Sequence, residues 1–215
     1  MLEVAASAPI VYVVDDDASV RVALTSLLTL VGLQAEVFGS IEQFTQASRP
    51  EVPSCLVLDV RLPGMSGLEF QDELAKSGAK IPIIFITAEG DSPMTRRAMK
   101  AGAVDFLTKP FRKRELLAAV DHALDRERER RREQAEVSEL QSRFDVLTSR
   151  EREVFDLVVT GLLNKQIAAE LGLSEASIKF HRGHVMQKCA PIRWPNWCAW
   201  PSGSSFRRAR IFPPT

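Results

Sequence analysis

Short apolar runs and amphipathic stretches alternate along the first 125 residues. "IVYVV" (10–14), "QAEVF" (34–38), "SCLVLDV" (54–60), "IPIIFIT" (81–87) and "VDFLT" (104–108) have the length and side-chain content of strands. Between them "ASVRVALTSLLTLV", "IEQFTQAS", "GLEFQDELAKSG", "SPMTRRAMKAG" and "RKRELLAAVDHAL" carry apolar residues at helical spacing. The runs at 54–60 and 81–87 are apolar almost throughout, which predicts central strands buried on both faces. Five strand–helix repeats predict an α/β domain, a parallel sheet covered by helices on each side.

The pattern then changes. Residues 126–146 are dense in charge, hold no Gly or Pro, and keep a sparse apolar register at Val137, Leu140 and Phe144. This predicts a solvated helical linker; a short dimerising coiled coil is the alternative, with only a brief seam to support it. From Leu147 every segment reads as helix. "LTSREREVFDLVVTG" opens on a Thr cap with acids in its first turn and ends at Gly161. "NKQIAAELG" has Asn164 as its expected cap and Gly172 as its stop, and Ser174 caps "EASIKFHRGHVMQK". Helix, short Gly-containing turn, helix is the outline of a helix-turn-helix.

Composition adds a charge asymmetry. The chain of 215 residues has no net charge, but residues 1–122 carry −4, 123–145 carry −1 and 146–215 carry +5. The acidic part suggests a cation site and the basic part a polyanion partner. No apolar run approaches the roughly 18 residues of a membrane helix, and "MLEVAASAPI" lacks the basic start and long apolar core expected of a secretory signal. Cys55, Cys189 and Cys198 are scattered, which suits a reducing cytoplasm better than a disulfide framework.

In an open parallel sheet, chemistry gathers where the strands' carboxyl ends meet the following loops. Here Asp15 and Asp16 close the first strand, Asp59 the third and Thr87 the fourth, while Lys109 follows the fifth. Three carboxylates at one edge repel unless a cation joins them, and oxygen-only ligands favour Mg2+. Asp59 then reads as a carboxylate nucleophile towards a phosphoryl group. Thr87 can donate its hydroxyl and Lys109 its charge to the same anion, and "KPF" invites a cis peptide at Lys109–Pro110. The bland reading makes these residues helix caps, as Asp17 is expected to be.

"VVDDDASV", "LVLDVRLPGMSGLEF" and "IIFITAEGDSPMTRRAMKAGAVDFLTKPF" closely resemble the receiver domain of two-component response regulators of the NarL/FixJ class, over residues 9–125. The resemblance implies a flavodoxin-like five-stranded sheet and a phosphate accepted by Asp59 from a sensor histidine kinase. It implies Mg2+ held by Asp16, Asp59 and the Arg61 carbonyl, with Asp15 acting through water. Thr87 and Lys109 contact the phosphoryl group, and Phe106 matches the aromatic that moves inward with the threonine. Ala88 leaves room for that rotamer. Receiver-mediated homodimerisation on phosphorylation and contact with RNA polymerase belong to the same expectation, as does a chain that is a regulator and not an enzyme.

Residues 147–188 resemble the LuxR-type helix-turn-helix, which implies double-stranded DNA as partner and the helix from Ser174 as the recognition helix. On a helical wheel Ile178 and Val185 share one face, while Lys179, Phe180, Gly183, His184 and Gln187 lie opposite. That face, with Ser177, is expected against base edges and thymine methyls. Lys165 and Arg182 are expected to contact phosphates. His181 sits near the core face and reads as packed rather than base-reading. A zinc site from His181, His184, Cys189 and Cys198 is disfavoured, because no paired spacing exists.

Residues 189–215 are written differently, with all three tryptophans and five of the twelve prolines. In LuxR-type domains a further amphipathic helix follows the recognition helix, yet Pro191, Pro195 and Pro201 forbid one here. Under one permitted codon choice, the bases for residues 188–203, read in another frame after one added A, spell MRAHSVAELVRMAER. That is an amphipathic helix in the expected register, so the tail reads as out of frame after Lys188. Ile178, Val185 and Leu157 are then expected to lose a packing partner, and specific DNA binding to suffer. A genuine alternative tail is the bland reading. Two rival functions follow: a Mg2+-dependent phosphatase with an aspartyl nucleophile, which "DDD" permits but no cap domain supports, and a phosphate sink whose DNA end is dead.

Overall fold

The structure is a computed structural model that describes residues 8–88 and 92–189. It divides into two compact units, 1–133 and 134–215. The first is a five-stranded sheet, parallel at every pairing, in the order β2-β1-β3-β4-β5. The strands are β1 (Ile10–Val14), β2 (Gln34–Phe38), β3 (Ser54–Asp59), β4 (Ile83–Thr87) and β5 (Asp105–Thr108). This is the doubly wound, flavodoxin-like order.

Every residue of β1, β3 and β4 is buried, as their unbroken apolar runs require, whereas the edge strands are only partly covered. One face packs Tyr12, Leu56, Leu58 and Phe85 under α2 (Ile41–Gln46), α3 (Gly67–Ser77) and α4 (Ser92–Lys100). The other packs Val11, Val13, Val57, Ile84 and Ile86 under α1 (Ala18–Leu30) and α5 (Lys113–Asp145). Strands begin one or two residues later than the apolar runs at 81 and 104, since ladder bonds start only where neighbours pair.

The linker expected over 126–146 is not a separate element. Helix α5 runs unbroken for 33 residues. Within it Glu127 is 2% exposed, clasped by Arg130 and Arg131 at 2.6–2.8 Å. The mutual neutralisation lets a charged stretch stay packed on the first unit. Val137 and Leu140 are exposed, and Phe144 instead packs edge-on against Phe155 at 5.4 Å in the second unit. The three residues therefore form no common seam among the described residues.

The second unit contains α6 (Ser149–Val159), α7 (Asn164–Leu171) and α8 (Glu175–Cys189). Thr148 caps α6 in a reciprocal box with Glu151, as its sequence predicts. Asn164 is not the cap of α7. Leu163 takes that place, with its N–H bonded to the Gln166 side chain at 2.9 Å, and Asn164 turns to Arg182. Gly172 ends α7 with φ +64°, a conformation that an L side chain resists and the tight turn needs. Ile178 clusters with Val154, Val158, Ile167 and Ala168. Val185 clusters with Leu147, Phe155 and Cys189. Ile178 and Val185 are fully buried and find partners in α6, α7 and Leu147, while Leu157 is half-buried; the tail that was expected to fail them lies outside the described residues.

Candidate functional site

The β1–β3 register sets Val14 beside Leu58, so the next residues, Asp15 and Asp59, meet at the carboxyl edge. Asp15 is wholly buried and Asp59 is 6% exposed. With exposed Asp16 they bring carboxylate oxygens within 4.8 Å of one another, the only such metal-ligating cluster among the described residues. His181, His184 and Cys189 do not meet that distance among the described residues; Cys198 lies outside them.

Lys109 binds both buried acids, its Nζ 2.7 Å from Asp15 Oδ2 and 2.6 Å from Asp59 Oδ2. Burial opposes the charge of each partner. It raises the pKa of Asp15 even though Lys109 and the Asp17 N–H pull it down. For Lys109 the carboxylates, Asp15 and then Asp59, outweigh burial and hold the ammonium above its ordinary range. Burial thus works against the charge of Asp15 while the lysine keeps its own. The Lys109–Pro110 peptide is cis, as "KPF" suggested.

Backbone groups finish the pocket. The Arg61 N–H donates to Asp59 Oδ1 at 2.9 Å, and the Asp17 N–H to Asp15 Oδ1 at 2.9 Å. Asp17 itself caps α1 through the Ser19 N–H. Thr87 is completely buried at the end of β4, its carbonyl accepting from the Lys109 N–H at 2.7 Å. Phe106 is half-buried beside Phe85, ring centres 6.1 Å apart.

In the second unit, α8 turns Lys179, Phe180, Gly183 and Gln187 outward, with Phe180 61% exposed. His184 is half-buried, its ring tilted against that of Phe180 with centres 4.2 Å apart, and its Nδ1 lies 3.5 Å from Glu151. His181 is half-buried against the edge of Phe180. Lys165 is exposed on α7. Ser177 is partly covered and its N–H donates to Ser174 Oγ, the expected cap. Arg182 differs from a free phosphate clamp: its guanidinium donates to Asn164 Oδ1 at 2.7 Å, tying α8 to α7.

Two matches account for both units. Residues 11–121 match the response regulator receiver domain family, and residues 145–190 match the luxR family of bacterial regulatory proteins. The chain is 58% identical over 184 residues to nodulation protein W of Bradyrhizobium diazoefficiens, covering 86% of this chain and 81% of that one. It is 43% identical over 185 residues to the transcriptional regulatory protein FixJ of Azorhizobium caulinodans, covering 86% and 88%. The solved structure of response regulator StyR aligns with a TM-score of 0.78 at 49% identity, over 85% of this chain and 92% of that one. This chain is a two-component response regulator of the NarL/FixJ class. It joins a receiver to a LuxR-type DNA-binding domain, and its relatives regulate transcription.

Two residues of this regulator's pocket escaped sequence reasoning. Arg21, one turn into α1, donates to the Asp15 carbonyl at 2.6 Å and steadies the loop that carries the acids. Gly67 lets α3 begin against β3, where a Cβ would stand 2.5 Å from the Asp59 carbonyl oxygen. "GMSG" offered a signal for the second, since Ser66 caps a helix that starts on glycine. Nothing in the spacing marked Arg21.

Proposed function

We propose that Asp59 is the phosphoacceptor of this regulator and that its phosphorylation controls use of the recognition helix α8 on double-stranded DNA. The observation that carries the reading is Asp59 itself: nearly buried, bonded to Lys109, and within ligand distance of Asp15 and Asp16. A sensor histidine kinase supplies the phosphoryl group. A carboxylate oxygen of Asp59 bonds to phosphorus as the phosphohistidine P–N bond breaks, and the imidazole leaves with the electron pair.

The donor set suits Mg2+, being all oxygen and short of positive charge. Asp16, Asp59 and the Arg61 carbonyl would hold the ion, with Asp15 supporting it through water. When bound it supplies the charge that lets an anionic carboxylate meet an anionic phosphoryl group. Lys109 then keeps an oxygen of the product in place, and the Thr87 hydroxyl donates to another. A phosphoryl adds about two negative charges and three acceptors. Thr87 moves towards it, Phe106 follows inward, and the α4–β5 surface repacks for receiver homodimerisation. RNA polymerase is a further partner, and the setting is cytoplasmic. The chain acts as a regulator and not as an enzyme.

On α8, Lys179, Phe180, Gly183, His184 and Gln187 meet base edges, with Ser177 beside them. Lys165 contacts a phosphate, and Arg182 does so while anchored to Asn164.

Labelling with a small-molecule phosphodonor tests the reading. Wild type takes up one phosphoryl group in the presence of Mg2+, and Asp59→Asn takes up none. Equal labelling of both would overturn it.

A second reading has its own observation. The luxR-family match stops at residue 190, where the proline-rich tail begins, and that tail lies outside the described residues. If the tail is out of frame, the chain still accepts phosphate but reads DNA poorly, and it works as a phosphate sink or interaction module. Sequencing the gene around Lys188 decides between them.

A further inference from the structure

At the opposite end of the sheet from Asp59 the receiver unit contains a cleft of about 490 Å3. Ser54 and Ile81, at the entry to β3 and β4, lie at its floor, and Tyr12 reaches it from β1. Its rim carries Arg49 after α2, Lys80 before β4, and Arg130 and Arg131 from α5. Four cations face two carboxylates, Glu51 and Glu127, so the cleft is positive.

The charges are arranged rather than scattered. Arg49 lies over the ring of Phe44, 4.5 Å from its centre, which orients the guanidinium and leaves its N–H edge available. Arg130 and Arg131 are held by buried Glu127, so the α5 wall is stiff.

Tyr12 provides an independent observation. Its side chain is 1% exposed and wedged edge-on against Phe44, ring centres 5.6 Å apart. Its hydroxyl is buried and has no hydrogen-bond partner among the described residues. Burial, then Glu36, raises its pKa, so it stays protonated and able to donate. Leaving such a group unpaired is unfavourable, and an acceptor that reached it would recover the lost hydrogen bond. Donors are what the cleft has in excess.

We propose that this cleft is a second ligand site of the regulator, taking a small oxyanion: a carboxylate or a phosphate on a compact body. Tyr12 donates the buried hydrogen bond, Arg49 and Lys80 supply the free charge, and the Glu127 clasp fixes the wall. The site is separate from the phosphoacceptor pocket and does not depend on Asp59. Because its wall is α5, its occupancy would bear on the same helix that runs on into the second unit.

Titration calorimetry on the full chain tests the proposal, with citrate as the carboxylate probe and inorganic phosphate as the phosphate probe. Asp59→Asn protein is used throughout, so that the phosphoacceptor pocket contributes nothing. At least one probe binds. Arg49→Gln combined with Lys80→Gln, both exposed positions, weakens it by about tenfold or more. Tyr12→Phe weakens it by about tenfold while its own melting temperature without anion is unchanged or higher. Citrate alone binding assigns a carboxylate ligand, and phosphate alone a phosphate. No heat with either probe at about 10 mM overturns the site, as does equal affinity in the Arg49/Lys80 double variant.

Discussion

A Cβ on Gly67 would stand 2.5 Å from the main-chain oxygen of Asp59, with Leu58 Cγ and Phe85 Cε1 at 3.1 and 3.2 Å. The first turn of α3 is therefore pressed on the end of β3, and the Gly67 N–H donates to the Val60 carbonyl at 3.0 Å. None of these neighbours is a flexible chain end. Gly67→Ala must push α3 away from the strand that ends in Asp59. It is expected to cost about 1–3 kcal/mol, lowering the melting temperature by several degrees, and to slow phosphoryl uptake from a small-molecule donor. Gly183→Ala is the control. It has open space in mid-helix and should stabilise the second unit by up to about 1 kcal/mol.

Among the described residues Lys109 bonds both buried acids through one ammonium. Removing it as Lys109→Ala leaves Asp15 and Asp59 facing each other without that charge. Breaking a buried pair costs roughly 3 kcal/mol or more, and the 22% exposure of the lysine argues for the lower figure. Melts in EDTA should show the full loss. Excess Mg2+ should restore more stability to the variant than it adds to wild type, because the ion takes over neutralisation of the same acids. Identical Mg2+ increments would contradict this.

Glu151 is 3% exposed and is bonded by Lys188 at 2.6 Å and by the Thr148 N–H. The Lys188 bond, followed by that from Thr148, lowers its pKa from the ordinary 4.5 to about 2. A lowered folded pKa means the unfolded state binds the proton more readily, so stability falls as the pH falls. The contribution is complete above about pH 4.5 and is lost as pH drops towards 2. Acid titration of the helical signal should therefore show wild type losing stability in that window. Glu151→Gln is less stable at neutral pH, and its curve is flatter between those values.

DNA binding offers two readouts. Phe180→Ala should barely move the melting temperature, since the ring is mostly exposed, yet cost about 1–3 kcal/mol of specific binding. Lys165→Gln should weaken all sequences alike and reduce the salt slope by about one. Anisotropy titrations at two salt concentrations separate these effects.

The frame hypothesis is tested by a chain in which one base is added after the Lys188 codon. The repaired protein, phosphorylated, should bind a palindromic site at least tenfold tighter than the present chain, because two linked half-sites act together. Equal gel-shift affinity would remove the frameshift from consideration.

Much of this regulator could be read from the order of its residues. The three central strands, the cap at Thr148 and the outward face of α8 followed from periodicity, because burial on a regular element repeats with that element's period. The pocket acids were legible because unlike residues closed apolar strands. Other features could not be read this way. Glu127 looks like any acid in a charged run until the fold folds Arg130 and Arg131 around it. Arg182 looks free until α7 delivers Asn164 to it.

By itself, the order of residues determined the two domain types, the parallel sheet and the cluster at its carboxyl edge, since periods and strand ends are local properties. Only the tertiary structure decided that Lys109 spans two acids, that Gly67 must stay bare and that Tyr12 holds a buried donor with no partner among the described residues. Each of those depends on atoms brought together from distant parts of the chain, where distance and burial, not spacing, set the energy.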